Sequence, residues 1–283
     1  MMRGLIAHQT DLSAIFFGDS PMPTFNIAIW PVCTAAIMVI VLAGCTTKAN
    51  FGMLSDGADS SAAKSIDSKP LVLAHDDKGQ WQVVRVGGDL EARIAGENGD
   101  YRYGPSVVDT ELPAGYPPPT PAGAIELKRY PTVRRAEVSG RTNPDWGMNL
   151  GFWPLFQHIQ RRDIAMTSPV EVDYAGWGID SDASSPSTWT MSFLYRTPDL
   201  GPTGDDGRVR VIDLEPLTVV AIGFAGPYRL SVVKAGLERI NEWLDSQDEW
   251  VSDGPPRAMY YNDPSVAATV RWGEVQVPIR RAE

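Results

Sequence analysis

The chain has 283 residues, 43% hydrophobic and 21% charged, enough for one large domain or two small ones with a well-buried core. Nine Trp, nine Tyr and eight Phe exclude a wholly disordered chain, because that much apolar surface must be hidden. Asp plus Glu number 35 against 25 Lys plus Arg, a net charge of −10 that repels phosphate backbones and excludes a general nucleic-acid binder. Two Cys and three His exclude a disulfide scaffold and leave a zinc site poorly supplied.

Phe25 to Gly44 is a charge-free apolar stretch of 20 residues, long enough to span a bilayer. It ends in Leu42-Ala43-Gly44-Cys45, small residues before a Cys, which resembles the lipobox of bacterial lipoproteins. The expectation is a signal peptide over 1–45 with Cys45 as the lipidated residue, placing the rest of the chain in the cell envelope, outside the cytoplasm. The segment before Phe25 carries only Arg3 against Asp11 and Asp19, so a start at Met22 and an uncut membrane anchor are the alternatives. Residues 46–69, rich in Ser, Ala, Asp and Gly, read as a solvated tether.

Residues 70–123 read as an N-terminal extension and Pro-rich linker. Two short strands, Leu71–Leu73 and Trp81–Val86, flank the turn Asp76-Asp77-Lys78-Gly79, and five of the nine residues from Pro113 to Pro121 are Pro. The main domain is expected over 124–283. Ile125–Val138 reads as one long strand or two short ones interrupted at Pro131. Phe152, Leu155, Phe156 and Ile159 share one helical face, with Pro154 tolerable in the first turn. Strand-like segments follow at Ala165–Tyr174, Trp189–Tyr195 and Val209–Phe224. A second helix carries Leu230, Val233, Leu237, Ile240 and Leu244 opposite Lys234, Glu238, Arg239, Asn241 and Glu242. Strands around Arg257–Tyr261 and Thr269–Ile279 close the chain. The pattern is α+β, two similar halves that each contribute strands and one helix to an antiparallel sheet.

Five strings resemble, in order, the SOUL/heme-binding-protein family. They are Ile125-Glu126-Leu127-Lys128-Arg129-Tyr130-Pro131, Gly151 to Ile159, Ile164-Ala165-Met166-Thr167-Ser168-Pro169-Val170, Met191-Ser192-Phe193, and Gly273 to Ile279. The third is close to the family's most specific string, which commonly has Ala where Ser168 stands. The resemblance covers about 124–279. It implies a pseudo-two-fold antiparallel β-barrel of about eight strands flanked by two helices, and non-covalent binding of heme or a related tetrapyrrole in an apolar cleft beside the first helix. It implies no catalytic residue set. The chain departs from the family in the short connection from Ile159 to Ile164, in having His158 where relatives often have Tyr, and in lacking a His in the opening strand.

A tetrapyrrole needs a flat apolar slot, partners for its propionates and, optionally, an iron ligand. The expected cofactor-binding residues are Phe152, Leu155, Phe156, His158, Ile159, Arg162 and Met166. His158 lies about 110° from the centre of the apolar face at 100° per residue, a flank from which it could reach a cleft and ligate iron, or remain a half-buried His bonded to backbone. Met166 could offer a thioether or fill core space. Arg134, Arg135, Arg161 and Arg162 are candidate propionate partners, the last two equally suited to complementing the helix C-terminus. Trp153, Trp177 and Trp189 could stack on a porphyrin or lie in the core. His75, before a turn, reads as solvated.

Two other functions compete. A GyrI-like small-molecule-binding domain or hydrolase would need a carboxylate in an apolar cleft, for which Glu171 and Glu126 are the candidates, although Glu171 alternates with Val170 and Val172 as an outward-facing strand residue does. The third is a structural envelope protein whose cleft is filled by its own side chains. The lipid bilayer and a tetrapyrrole are the expected partners.

Overall fold

The computed structural model describes residues 70–179 and 183–283; the apolar segment Phe25–Gly44, Cys45 and the stretch to residue 69 lie outside the described residues. In chain order the elements are β1 (Leu71–His75), β2 (Trp81–Gly88), β3 (Tyr101–Tyr103), β4 (Ser106–Val108), β5 (Ala124–Tyr130), β6 (Val133–Gly140), α1 (Pro144–Arg161), β7 (Val170–Ala175), β8 (Thr188–Leu194), β9 (Gly204–Asp206), β10 (Val209–Leu214), β11 (Leu217–Ala225), α2 (Leu230–Asp245), β12 (Trp250–Ser252), β13 (Arg257–Tyr260) and β14 (Trp272–Arg281). Pro131 and Pro216, which cannot donate to a ladder, each fall in a two-residue connection and split what would otherwise be one long strand into β5–β6 and β10–β11.

Twelve strands form one sheet in the order β1-β2-β5-β11-β14-β13-β7-β8-β6-β10-β9, with β12 paired to β14 off this path and β3–β4 a separate hairpin. The pairings are antiparallel throughout. The halves β5-β6-α1-β7-β8 and β10-β11-α2-β13-β14 are equivalent: exchanging each strand for its counterpart turns the inner eight-strand order into its own reverse. The pseudo-two-fold axis therefore passes between β7 and β13, which pair at Val172 and Ala258. The architecture is α+β, a mostly antiparallel sheet with two helices. The expected barrel is not closed by strand pairing. β5 and β10, the ends of the inner eight, pair with β2 and β9 rather than with each other, so strands added on either side occupy the edges that closure would use. The extension 70–123 is thus part of the sheet and its cover.

The structure differs from the sequence pattern in three respects. Residues Ala165–Pro169 are not strand, because Thr167 Oγ1 bonds Leu194 O at 2.6 Å and Ser168 N bonds Glu111 O at 3.0 Å, holding the segment to loops. Helix α1 begins at Pro144, so Pro154 lies inside it rather than in its first turn. The carbonyl it leaves unpaired belongs to Leu150, whose side chain is 61% exposed, so water is at hand. Strands β3, β4, β9 and β12 are three residues each, too short for a periodic signal.

The two faces of the sheet bury different chemistry. One packs Ile125, Val172, Phe193, Val220, Phe224 and Val275 against Leu155 and Ile159 of α1 and Val233, Leu237 and Ile240 of α2. The other carries ionic and amide groups, with Arg85, Glu126, Lys128, Glu171, Arg257, Glu274 and Gln276 all buried, and it is roofed by Val108, Leu112, Tyr116 and Thr120 of the extension. Among the described residues no helix is long and apolar enough to cross a membrane.

Candidate functional site

The site expected from the sequence is built on α1. The Asn143 side chain accepts from Asp145 N at 2.9 Å and Pro144 opens the first turn, a pairing suited to a helix start. Asp145 sits where the helix dipole favours an anion, and its carboxylate also accepts from Leu230 N at 2.8 Å. It therefore caps α2 as well, whose own N-cap residue Arg229 supplies no side-chain bond.

The buried face of α1 consists of Pro144, Gly147, Gly151, Leu155, His158 and Ile159. This is rotated from the apolar face read in the sequence, because two of its members are glycines that a hydrophobic count ignores. They let the helix close on the Trp189 indole: a Cβ on Gly147 would overlap the ring, and one on Gly151 would lie 3.0 Å from it. Gly236 plays the same part for α2, where a Cβ would meet Val275 at 2.6 Å.

The rotation moves several expected site residues inside. Leu155 and Ile159 are core residues at 0% and 3% exposure and line no surface cleft. His158, expected on a flank, is fully buried, with Nδ1 2.7 Å from Asp206 Oδ2 and Nε2 2.8 Å from Tyr195 OH. Both ring nitrogens are engaged, so iron ligation would require one bond to break. Burial lowers the imidazole pKa against the raising effect of Asp206, and burial raises that of the Tyr195 phenol. The consistent proton arrangement has Nδ1–H donating to Asp206 and Tyr195 O–H donating to Nε2.

Asp206 joins β9 to the end of α1. Arg161 and Arg162 donate to the same Oδ2 at 3.0 and 2.7 Å, and the bond from His158 together with these guanidiniums brings its pKa down to about 2. Neither arginine simply complements the helix C-terminus. They place two positive charges against one carboxylate at the end of α1. A depressed carboxylate stabilises the fold above its ordinary pKa of 3.8, and that contribution is lost as pH falls through about 2. A lowered imidazole acts in the same direction, since the unfolded chain binds its proton first as pH falls below 6.5. Asp206→Asn is accordingly expected to lower amide protection in 204–206 several-fold at neutral pH, and to remove the loss of protection expected in the parent as pH falls toward 2. Unchanged exchange would show that the hairpin is held by β10 alone.

What α1 turns outward is aromatic. Phe152 stacks on Phe156 with centroids 5.7 Å apart, and Trp153 meets the two edge-on at 5.9 and 6.1 Å. Phe152 also contacts Phe193 at 5.3 Å, tying the cluster to β8. Trp153 is 57% exposed, and Met166 is 39% exposed instead of filling the core, because the buried contacts at that bend are made by Thr167 and Ser168. Trp177 and Trp189 are core residues, so only Trp153 of the three is available for stacking. Arg162 keeps about a third of its side-chain surface and Arg161 more than half.

The remaining candidates lie elsewhere. Arg134 pairs with Asp213 on the surface of β6–β10. Arg135 is buried and bonded to Glu171, Asp173 and Glu137, and Arg257 holds the other Glu171 oxygen at 3.1 Å. Glu171 is therefore not an outward strand residue but a fully buried carboxylate between two guanidiniums, and Glu126 is likewise held by Arg85 at 2.8 Å. Neither is a free base. Beside them, burial and the Glu171 charge push the Asp173 carboxyl up to about 6. His75, at the end of β1, is exposed. Among the described residues no group of His, Cys, Asp and Glu gathers as a metal site. Asp206 and Tyr195 were not legible, since nothing in the sequence links them to His158.

A family model described as SOUL heme-binding protein matches residues 118–278, from the end of the Pro-rich stretch into β14. The chain belongs to this family. No curated protein matches it in sequence. Among solved structures, EcmrR bound to DNA aligns with a TM-score of 0.47 at 13% identity, covering 56% of this chain and 57% of that one. The EcmrR C-terminal domain aligns at 0.46 and 14%, covering 56% and 98%. A hydrolase from Listeria innocua aligns at 0.41 and 16%, covering 54% and 91%. The SOUL chain thus spans little more than half the length of full EcmrR, and these distant alignments carry no functional argument. Helix α1 and its aromatic cluster lie wholly inside the SOUL match.

Proposed function

We propose that this SOUL-family protein binds heme or a related tetrapyrrole, without catalysis, on the outward aromatic surface of α1, as a lipid-anchored protein of the cell envelope. The supporting observation is the cluster Phe152, Trp153 and Phe156, flat rings standing partly open to solvent on the helix whose last turn leads into Arg161 and Arg162. Such rings offer stacking area and the guanidiniums offer forked donors for propionates. Met166, 39% exposed, follows α1 in the chain. The envelope location rests on Leu42-Ala43-Gly44-Cys45.

Because His158 is engaged at both nitrogens, binding on this surface needs no imidazole–iron bond. A hemin titration followed by absorption is expected to give a saturable Soret shift that persists in His158→Ala and weakens about tenfold or more in Trp153→Ala/Phe156→Ala. A shift lost in His158→Ala would instead make that residue the iron ligand, and no saturable shift in the parent would overturn the tetrapyrrole reading.

A further inference from the structure

The two helices are counterparts in the fold, yet their solvent faces differ in kind. Helix α2 turns Lys234, Glu238, Arg239 and Glu242 to water, as a surface helix does. Helix α1 has no Asp, Glu, Lys or Arg from Trp146 to Gln160. Opposite its core face it carries Trp146, Leu150 and Trp153, spaced four and three residues apart and 71%, 61% and 57% exposed. The polar residues on that side, Asn149, Gln157 and Gln160, are uncharged and exposed.

We propose that this Trp146–Leu150–Trp153 stripe docks in the interfacial layer of a lipid bilayer. Indole rings are amphipathic, with an apolar body and one N–H donor, and they concentrate at the boundary between headgroups and acyl chains. Charge-free intervening positions avoid the desolvation that a carboxylate or ammonium would suffer there. The three side chains expose on the order of 400 Å², too little for a stable dimer interface, which needs about 800 Å² per partner. The same area is too small for tight membrane binding alone, so a second attachment is required.

The sequence outside the described residues offers that attachment, and the inference rests on the anchored reading above. Phe25–Gly44 is apolar and charge-free, and 24 residues separate Cys45 from Pro70. Such a length reaches at most about 85 Å, while a domain of roughly 210 residues is about 45 Å across, so any face of the domain can meet the bilayer. Anchoring then makes docking of the stripe effectively intramolecular. Trp146 lies about 22 Å along the helix from Arg161, beyond a macrocycle whose propionates are held there, so membrane and tetrapyrrole adjoin at Trp153 without sharing the whole face.

The test is quenching of tryptophan fluorescence by bromine-labelled acyl chains, with the full chain reconstituted into phosphatidylcholine–phosphatidylglycerol vesicles. Trp30→Phe serves as the background, because Trp30 lies in the apolar segment. Eight of the nine tryptophans then remain, and docking of Trp146 and Trp153 is expected to quench about a quarter of the emission. Adding Trp146→Gln and Trp153→Gln should abolish that quenching while the chain still floats with the vesicles. A chain that floats without quenching overturns the docking proposal and leaves the anchor standing. If the chain does not float, the anchored reading fails. The same protein is then titrated with excess vesicles, where quenching supports the stripe and its absence overturns it. Both substituted side chains are exposed, so unchanged circular dichroism is expected and confirms that loss of quenching is not unfolding.

Discussion

Replacing Lys128 by Met is expected to destabilise the protein by about 3–5 kcal/mol, measured by urea denaturation, although the substitution conserves size. Lys128 is fully buried, with Nζ 2.7 Å from both Glu274 Oε1 and Pro118 O and 3.8 Å from Glu126 Oε2. Glu274 is equally buried and also accepts from Thr120 N at 2.7 Å, Tyr261 OH at 2.7 Å and Gln276 Nε2 at 2.6 Å. Burial alone would raise its pKa, but the Lys128 ammonium and these donors hold it below the ordinary value. Without Lys128 the carboxylate loses its counter-charge, and its folded pKa should rise above the unfolded one. The penalty is then present above the raised pKa and relieved as pH falls, so the variant should lose less at pH about 5 than at about 8. Adding Glu274→Gln should recover part of the loss, since it removes the unpaired charge and keeps the acceptor. A loss below about 1 kcal/mol would mean that water reaches Glu274.

Trp189→Ala is expected to remove about 3–5 kcal/mol as well, through a different cause. The indole is 3% exposed, donates from Nε1 to Thr142 O at 3.0 Å, and is gripped by Gly140 of β6 and by Gly147 and Gly151 of α1. Gly147→Ala gains about 1 kcal/mol of helix propensity but must push the ring aside, a strain of about 1–3 kcal/mol, so it should be destabilising on balance. In the Trp189→Ala background the obstacle is gone, and Gly147→Ala should turn neutral or stabilising. That change of sign is the coupling a double-mutant cycle by chemical denaturation would measure. Additive effects would show that α1 is not seated on the indole. Because the aromatic cluster rides on this helix, the same variants should also weaken hemin binding.

Much of the architecture was legible. The long periodic runs of α2, β8 and β14 and the Pro interruption at 131 are legible from spacing, because side-chain periodicity reports directly which face is hidden, whereas Val209–Phe224 reads as one strand and is split at Pro216. Helix α1 was found but turned by several tens of degrees, since its closest packing is made by glycines, which contribute no hydrophobic signal. That turn places His158, Leu155 and Ile159 inside, while Trp146 and Leu150, outside the apolar face counted in the sequence, stand in solvent. The roofed ionic face was not legible either. Glu171 alternates with valines as an exposed residue does, and only Arg135 on β6 and Arg257 on β13, 36 and 86 residues away, make its burial tolerable.

The sequence by itself determined the α+β class, the duplicated order of elements, the SOUL family strings and the aromatic content of α1, all of which are local properties written in consecutive or periodic residues. Only the tertiary structure decided which side of α1 faces water, that Asp206 and Tyr195 close on His158, and that the charges of the sheet are buried in pairs beneath the extension. Each of these depends on partners brought together across the sheet, and the free energy of burying a polar group is set by those partners rather than by its neighbours in the chain.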